Sequence, residues 1–376
     1  MSGDPWHFPR PEIAREYLAF FESGISNTLV LFAPRRYGKT EFCLEDLAPA
    51  AEKAAYRVAY ASFWQSSLSP LPVLLYTLEK SLESRSFSER ARALLTHPVT
   101  KLKLSGALAG AKGEAEVDLS TLGTKPPAAL LLYLADLGAR LARRKGRFLL
   151  ILDEVQELAT DPKNAALIAA LRTLLDTHRR QLKVVLTGSS EEGLRRMFNE
   201  RAAPFFHFGT RLEFPRLGKP FVSHVLRAFK AASGRTLTEP RMIALFDALN
   251  QNPYYFRKVL EAMLAQPRLD IDRALSLTRE RLALEQGYPR LWSALKPFDR
   301  ELLRVLARGE RSLFGAQARQ AIGRALGGET PQIGAVQSSL RRLDSVRIVH
   351  SSGERGSYIF EDEEFAQWTR HHLAEH

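Results

Sequence analysis

Apolar and polar positions along the first two-thirds of the chain fall into two alternating kinds of run. Short, mainly apolar segments recur as "TLVLFA" (28–33), "YRVAYASFW" (56–64), "FLLILDE" (148–154), "LKVVLTGSS" (182–190) and "GTRLEF" (209–214). Runs of this length predict buried strands, and the continuous ones predict strands covered on both faces, as in a parallel sheet. Between them the apolar residues adopt helical spacing, predicting helices from residue 38 to about Lys53, near 70–84, over about 127–145 and over roughly 164–179. Residues 97–125, richer in Gly and in alternating positions, read as an inserted hairpin or a mobile loop. From Lys219 to about Gln266 every run is helical, and 267–290 reads as a charged helical connector.

The pattern predicts three domains: an α/β core over 1–217 with the insertion at about 97–125, a helical lid and connector over 218–290, and a tail domain over 291–376. In the tail, "PFDRELLRVLARG" and "SLFGAQARQAIGRAL" read as two helices. A third, "TPQIGAVQSSLRRLDSV", has Thr330 as N-cap, Pro331 in the first turn, and Ile333, Val336, Leu340 and Leu343 on a core-facing stripe. Two apolar strands around a Ser-Gly-Glu-Arg-Gly tip follow, completing the pattern of a winged helix-turn-helix.

Composition changes the picture in two respects. The chain has 376 residues, 45% hydrophobic and 26% charged, with one cysteine, Cys43. No intrachain disulfide can form, which points to a reducing cytoplasm. The start has no apolar run behind a basic end, and "PPAALLLYLADLGARLA" is cut by Asp136 and Arg140, so neither a signal peptide nor a membrane span is expected. The net charge is +12, from 54 Lys and Arg against 42 Asp and Glu. That excess favours an anionic partner such as DNA or RNA. Residues 291–376 carry 12 basic and 11 acidic side chains, so the surplus lies in the first 290 residues.

The chemistry centres on "LVLFAPRRYGKTEF" (29–42), in which a strand turns through Gly38, Lys39 and Thr40 into a helix. Such a turn offers backbone N–H groups to phosphates at the positive end of a helix dipole. Ala33, Pro34, Arg35, Arg36, Tyr37, Gly38, Lys39, Thr40 and Glu41 are the candidate ATP-binding residues. Lys39 would reach the β- and γ-phosphates and the Thr40 hydroxyl would hold Mg²⁺. Ala33 stands where the GxxxxGK(S/T) pattern has its first glycine, and one methyl is tolerable there if φ is negative. "LLILDEVQEL" ends a strand in two acids, Asp153 for the Mg²⁺ shell and Glu154 to orient and deprotonate an attacking water. Ser189 or Ser190, at the end of a neighbouring strand, could contact the γ-phosphate or that water.

These motifs, with "FPRPEIAREYLAFFE", "LTGSSEEGLRRMF", "APFF" and "NQNPYYFRKVL", resemble the additional-strand (ASCE) P-loop NTPases, the class of AAA+ and STAND proteins. Within it they are most similar to the archaeal and bacterial ATPases related to Orc1/Cdc6 and to the MNS-type STAND NTPases, over most of residues 7–266. The resemblance implies ATP hydrolysis with Lys39, Thr40, Asp153 and Glu154 as functional residues and Ser189 as sensor 1. It also implies a role for Arg10 near the adenine end of the pocket. Two departures stand out: His207 and Phe208 replace a glycine-arginine pair, leaving Arg211 or Arg201 as finger candidates, and Arg257 falls near the position of the lid arginine, out of alignment. A nucleotide-dependent homo-oligomer would use such a finger in trans. For the tail, DNA would meet Gln332, Gln337, Ser338, Arg341 and Arg342 of the third helix and Arg355 of the wing. A partner protein is the alternative, in a slow nucleotide-gated interaction switch that does not bind DNA.

Overall fold

Five apolar runs assemble into one parallel sheet in the computed structural model, which describes residues 4–64, 70–83, 101–105, 114–118, 128–198, 203, 205–352 and 356–372. The strands are β1 (Thr28–Phe32), β2 (Tyr56–Ser62), β5 (Arg147–Asp153), β6 (Leu182–Gly188) and β7 (Thr210–Glu213), in the spatial order β2-β5-β6-β1-β7. β6 therefore stands between β1, which leads into the glycine-lysine turn, and β5, which ends in the acidic pair. This is the additional-strand arrangement of the P-loop NTPases. It places the carboxyl ends of β1, β6 and β5 side by side, where ligands of open parallel sheets bind.

Side-chain alternation along the strands feeds two cores. Leu29, Leu31, Leu149, Ile151 and Val185 face α1 (Pro11–Glu22) and α2 (residues 39–53). Val30, Leu150, Leu152, Val184 and Leu186 face α3 (Pro70–Glu83), α4 (Ala128–Arg143), α5 (Ala165–Thr177) and α6 (Glu191–Phe198). Helix α2 is continuous but not uniform: Lys39–Phe42, a π turn over Cys43–Leu47, then Ala48–Lys53. Pro49, with no N–H to give the preceding turn, follows the widened segment. Cys43 is fully buried there, and burial pushes its thiol pKa upward. In the predicted insertion, β3 (Lys101–Ser105) and β4 (Glu114–Asp118) pair antiparallel.

The chain divides into two compact units, Met1–Tyr254 and Tyr255–His376. The first includes α7 (Lys219–Ser233) and α8 (Glu239–Ala248), and α9 (Pro253–Ala265) begins at the division. The second continues through α10 (Ile271–Glu285) and α11 (Tyr288–Ala294). It then forms α12 (Pro297–Ala307), α13 (Ala316–Ala325), α14 (Ile333–Ser345), the antiparallel pair β8 (Val349–Ser351) and β9 (Tyr358–Phe360), and α15 (Glu363–His372). Its core joins Leu302, Leu306, Ile322, Val336, Leu340, Leu343 and Phe365.

Helix α14 departs from expectation at its start. It begins at Ile333 with Gln332 at the N-cap, and Ile333 is 49% exposed rather than on the core stripe. The reason is tertiary: the Pro331 carbonyl accepts a hydrogen bond from Arg319 Nη1 (3.0 Å) and stays outside the helix.

Candidate nucleotide site

The turn after β1 takes a left-handed backbone at two positions. Arg36 has φ 67° and Gly38 φ 78°, the latter a conformation that glycine adopts without steric penalty. Ala33 is absent from the positive-φ residues, so its methyl group meets no backbone conflict. Lys39 is buried at 4% exposure, and its ammonium donates to the carbonyls of Ala33 (2.6 Å) and Pro34 (3.0 Å). Burial lowers the Lys39 pKa, and the nearby Glu154 and Asp153 carboxylates oppose that shift.

The three residues before Gly38 each meet an aromatic group or the turn before α9. The Arg35 guanidinium stacks 4.2 Å from the Trp64 ring and Arg36 lies 4.7 Å from Tyr254. The Tyr37 hydroxyl donates to the Asn250 carbonyl at 2.8 Å.

At the end of β5, Asp153 is 2% exposed and collects three hydroxyl donors. Thr40 Oγ1 (2.7 Å) and Tyr60 Oη (2.8 Å) donate to Oδ2, while Thr187 Oγ1 donates to Oδ1. Burial drives the Tyr60 phenol pKa upward, reinforced by the Asp153 charge and by donation to it. Tyr60 and Thr187 escaped the sequence reading. Their signal is slight, a polar residue near the carboxyl end of each strand flanking β5.

Glu154 turns out of the strand at φ 57°. Its Oε2 accepts from both Ser189 Oγ (2.5 Å) and Gln156 Nε2 (2.5 Å). Of the two candidate serines, Ser189 reaches Glu154, whereas the Ser190 hydroxyl accepts the Gly193 N–H at the start of α6 (3.0 Å). Gln156, 3% exposed, is the other residue the sequence reading missed. It fits only because two neighbours lack side chains: a Cβ on Gly188 would lie 2.7 Å from Gln156 Oε1, and one on Gly193 would lie 2.8 Å from Gln156 Cβ.

Behind the loop, Arg10 is 7% exposed between the rings of Phe42 and Phe214, and its Nη2 donates to the Gly38 carbonyl at 2.9 Å. Its backbone N–H donates to Asp46 Oδ1 at 3.0 Å. His7 bridges Glu41 Oε1 (2.9 Å) and Asp46 Oδ1 (3.1 Å), so Glu41 is turned toward the N-terminal segment. Burial opposes protonation of His7, but hydrogen bonds and charge from Asp46 and Glu41 prevail and hold its pKa at about 9.

The arginine candidates separate. Arg211 is exposed on the edge strand β7, level with Val30, whereas the loop leaves β1 after Phe32. Arg216, overlooked in the sequence, lies 5.7 Å from the Tyr37 ring. Arg257 is half-buried on α9, in the second unit, and Arg201 falls outside the described residues.

On α14, Gln337, Ser338 and Arg341 are exposed, as is Gln332 at its N-cap. Arg342 instead turns to the buried Asp299, its Nη2 2.5 Å from Oδ1, with the Ser339 hydroxyl donating to the same oxygen. Arg355 lies outside the described residues.

The same fold recurs in solved structures. A Walker-type ATPase of Pyrococcus abyssi is 17% identical, with 98% of this chain and 100% of that one covered at a TM-score of 0.62. The ORC2 protein of Aeropyrum pernix in its ADP form is 16% identical, over 97% and 93% of the two chains, at a TM-score of 0.58. No protein-family model matches the chain, and no curated protein matches it. Among the described residues no helix is long and apolar enough to cross a membrane.

Proposed function

We propose that the chain is a cytoplasmic, Mg²⁺-dependent ATPase whose nucleotide state governs how its C-terminal unit engages DNA. The observation that carries this reading is the convergence of Lys39, Thr40, Asp153, Glu154 and Ser189 at the carboxyl ends of three adjacent parallel strands. The residues suit the groups they would hold. Asp153 is a buried carboxylate satisfied by neutral hydroxyls rather than by an ion pair, leaving its charge for a cation. Thr40 adds a hard oxygen beside it, the donor chemistry that Mg²⁺ prefers. When bound, ATP and Mg²⁺ supply an electrophilic γ-phosphoryl whose developing charge the metal neutralises.

The chain's own residues do the rest. Lys39 exchanges two carbonyl partners for phosphate oxygens. Ser189 and Gln156 hold Glu154 through Oε2, leaving Oε1 to orient a water and take its proton. Tyr37 and Arg36 connect the phosphate loop to the turn from which α9 runs into the second unit, a route by which nucleotide would act on the tail. There, three helices and a strand pair support the reading of a winged helix, with Gln332, Gln337, Ser338 and Arg341 toward DNA and Arg355 on the wing. The exposure of Arg211 suits a finger offered to a neighbouring copy in a nucleotide-dependent homo-oligomer.

Nucleotide-binding and turnover assays on two variants test the proposal. Lys39→Ala should lose ATP binding, whereas Glu154→Gln should keep it and lose turnover by roughly 10²–10⁴-fold. Equal turnover by Glu154→Gln and wild type would remove Glu154 as the base. The near-neutral tail favours a second reading, a slow switch that contacts protein instead of DNA. Single-turnover hydrolysis unchanged by duplex DNA would support it.

A further inference from the structure

The loops at the amino ends of β5 and β6 lie at the opposite end of the sheet from the nucleotide site. They join α4 to β5 and α5 to β6, and are tied together by the Phe148 N–H donating to the Gln181 carbonyl at 3.0 Å. A cavity of about 510 Å³ opens between them, with Arg143, Arg179 and Arg180 on its walls. Arg143 ends α4, Arg144 and Lys145 follow it on the loop, and all five cations are exposed.

Their charge is uncompensated. The nearby acids are already engaged: Asp136 with Arg140, Asp176 with Arg172, and Glu22 with Arg147. Arg143, Arg144, Lys145, Arg179 and Arg180 make no side-chain hydrogen bond or ion pair among the described residues. A helix C-terminus favours basic side chains, which accounts for Arg143 in the last turn of α4. It does not account for the four that lie beyond the ends of α4 and α5.

The support is firm. Lys183 Nζ donates to the Arg179 carbonyl at 3.3 Å, and the Leu182 N–H to the His178 carbonyl at 2.9 Å, fixing the turn that carries Arg179 and Arg180.

We infer that this face is a sequence-independent binding surface for the phosphodiester backbone of nucleic acid, on the ATPase unit itself. Exposed cations spread over two adjacent loops match a row of phosphates. No Phe, Tyr or Trp lines the cavity to stack a base, and its one carboxylate, Asp176, is already engaged by Arg172. The inference places part of the basic surplus of the first 290 residues, which the near-neutral tail does not carry. It does not depend on the nucleotide reading.

The test uses the full chain and a short fluorescein-labelled duplex of arbitrary sequence, with affinity measured by anisotropy across a salt series. A patch variant combines Arg144→Gln, Arg179→Gln and Arg180→Gln. A control of equal charge loss combines Lys219→Gln, Arg227→Gln and Lys230→Gln. The patch variant should bind on the order of tenfold or more weakly at low salt, with a log–log salt slope shallower by about 2–3. Its ATP turnover without DNA should match wild type, which separates failure of the patch from failure of the ATPase reading. An unchanged affinity and slope overturns the inference, as does an equal loss in the control. So does loss of binding to anionic lipid vesicles with DNA affinity intact.

Discussion

Glu154 holds its place against its own backbone. Its φ of 57° costs a non-glycine residue about 1–3 kcal/mol, and the hydrogen bonds from Ser189 and Gln156 hold the carboxylate in the turned-out position. Gln156 is therefore a positioning residue. Gln156→Met keeps length and apolar fit but removes the donor. It should lower kcat by roughly tenfold or more while leaving ATP affinity near wild type; a change confined to KM would assign Gln156 to binding instead. At this scale the sequence was legible where chemistry is contiguous. Lys39 with Thr40, and Asp153 with Glu154, are adjacent pairs in recognisable strand-end contexts. Tyr60 and Thr187 were not legible, because each acquires its role from Asp153, far away along the chain; nor was Gln156, because periodicity does not show that its side chain turns back onto Glu154, two residues away. Gln156 in addition depends on the missing side chains of Gly188 and Gly193.

Strands were read more securely than the starts of helices. β5 and β6 hold the apolar runs Phe148–Leu152 and Val184–Leu186 because both faces are covered there. Strand order leaves no trace in periodicity and entered only through the resemblance. The start of α14 shows the limit: local capping rules favoured Thr330 and Pro331, but Arg319 claimed the Pro331 carbonyl. Arg342 shows another, since helical spacing alone cannot tell that Asp299 is buried opposite it. Arg342→Ala should destabilise the second unit by about 1–3 kcal/mol by stripping a buried carboxylate of a charged donor. Arg341→Ala should leave its melting temperature within error, and equal effects in thermal denaturation would refute the distinction. His7 fastens the N-terminal segment to α2. Its folded pKa of about 9 lies above the ordinary 6.5, so the stabilisation is complete below pH 6.5, declines between 6.5 and 9, and is gone above 9. The difference in melting temperature between wild type and His7→Gln should follow that curve; a difference that grows with pH would exclude a protonated clasp.

At the scale of the molecule, charge and chemistry occupy opposite ends of one sheet. Lys39, Thr40, Asp153 and Glu154 gather where β1 and β5 end beside β6, and uncompensated arginines gather where β5 and β6 begin. Hydrophobic patterning could predict neither, because it reports which side chains are buried, not which end of a strand a loop occupies. The division at residues 254 and 255 likewise falls inside a helical run that offers no break in period.

The buried Cys43 gives that division an experimental handle. The sole thiol of the chain, buried on α2, lies in the first unit with Trp6 and Trp64, while Trp292 and Trp368 belong to the second. A thiol that must be uncovered before it reacts keeps time for one unit only. In a Trp6→Phe, Trp64→Phe background, labelling kinetics would register the opening of the first unit while indole fluorescence follows the other, so a single denaturant series could tell whether the two halves melt together or apart.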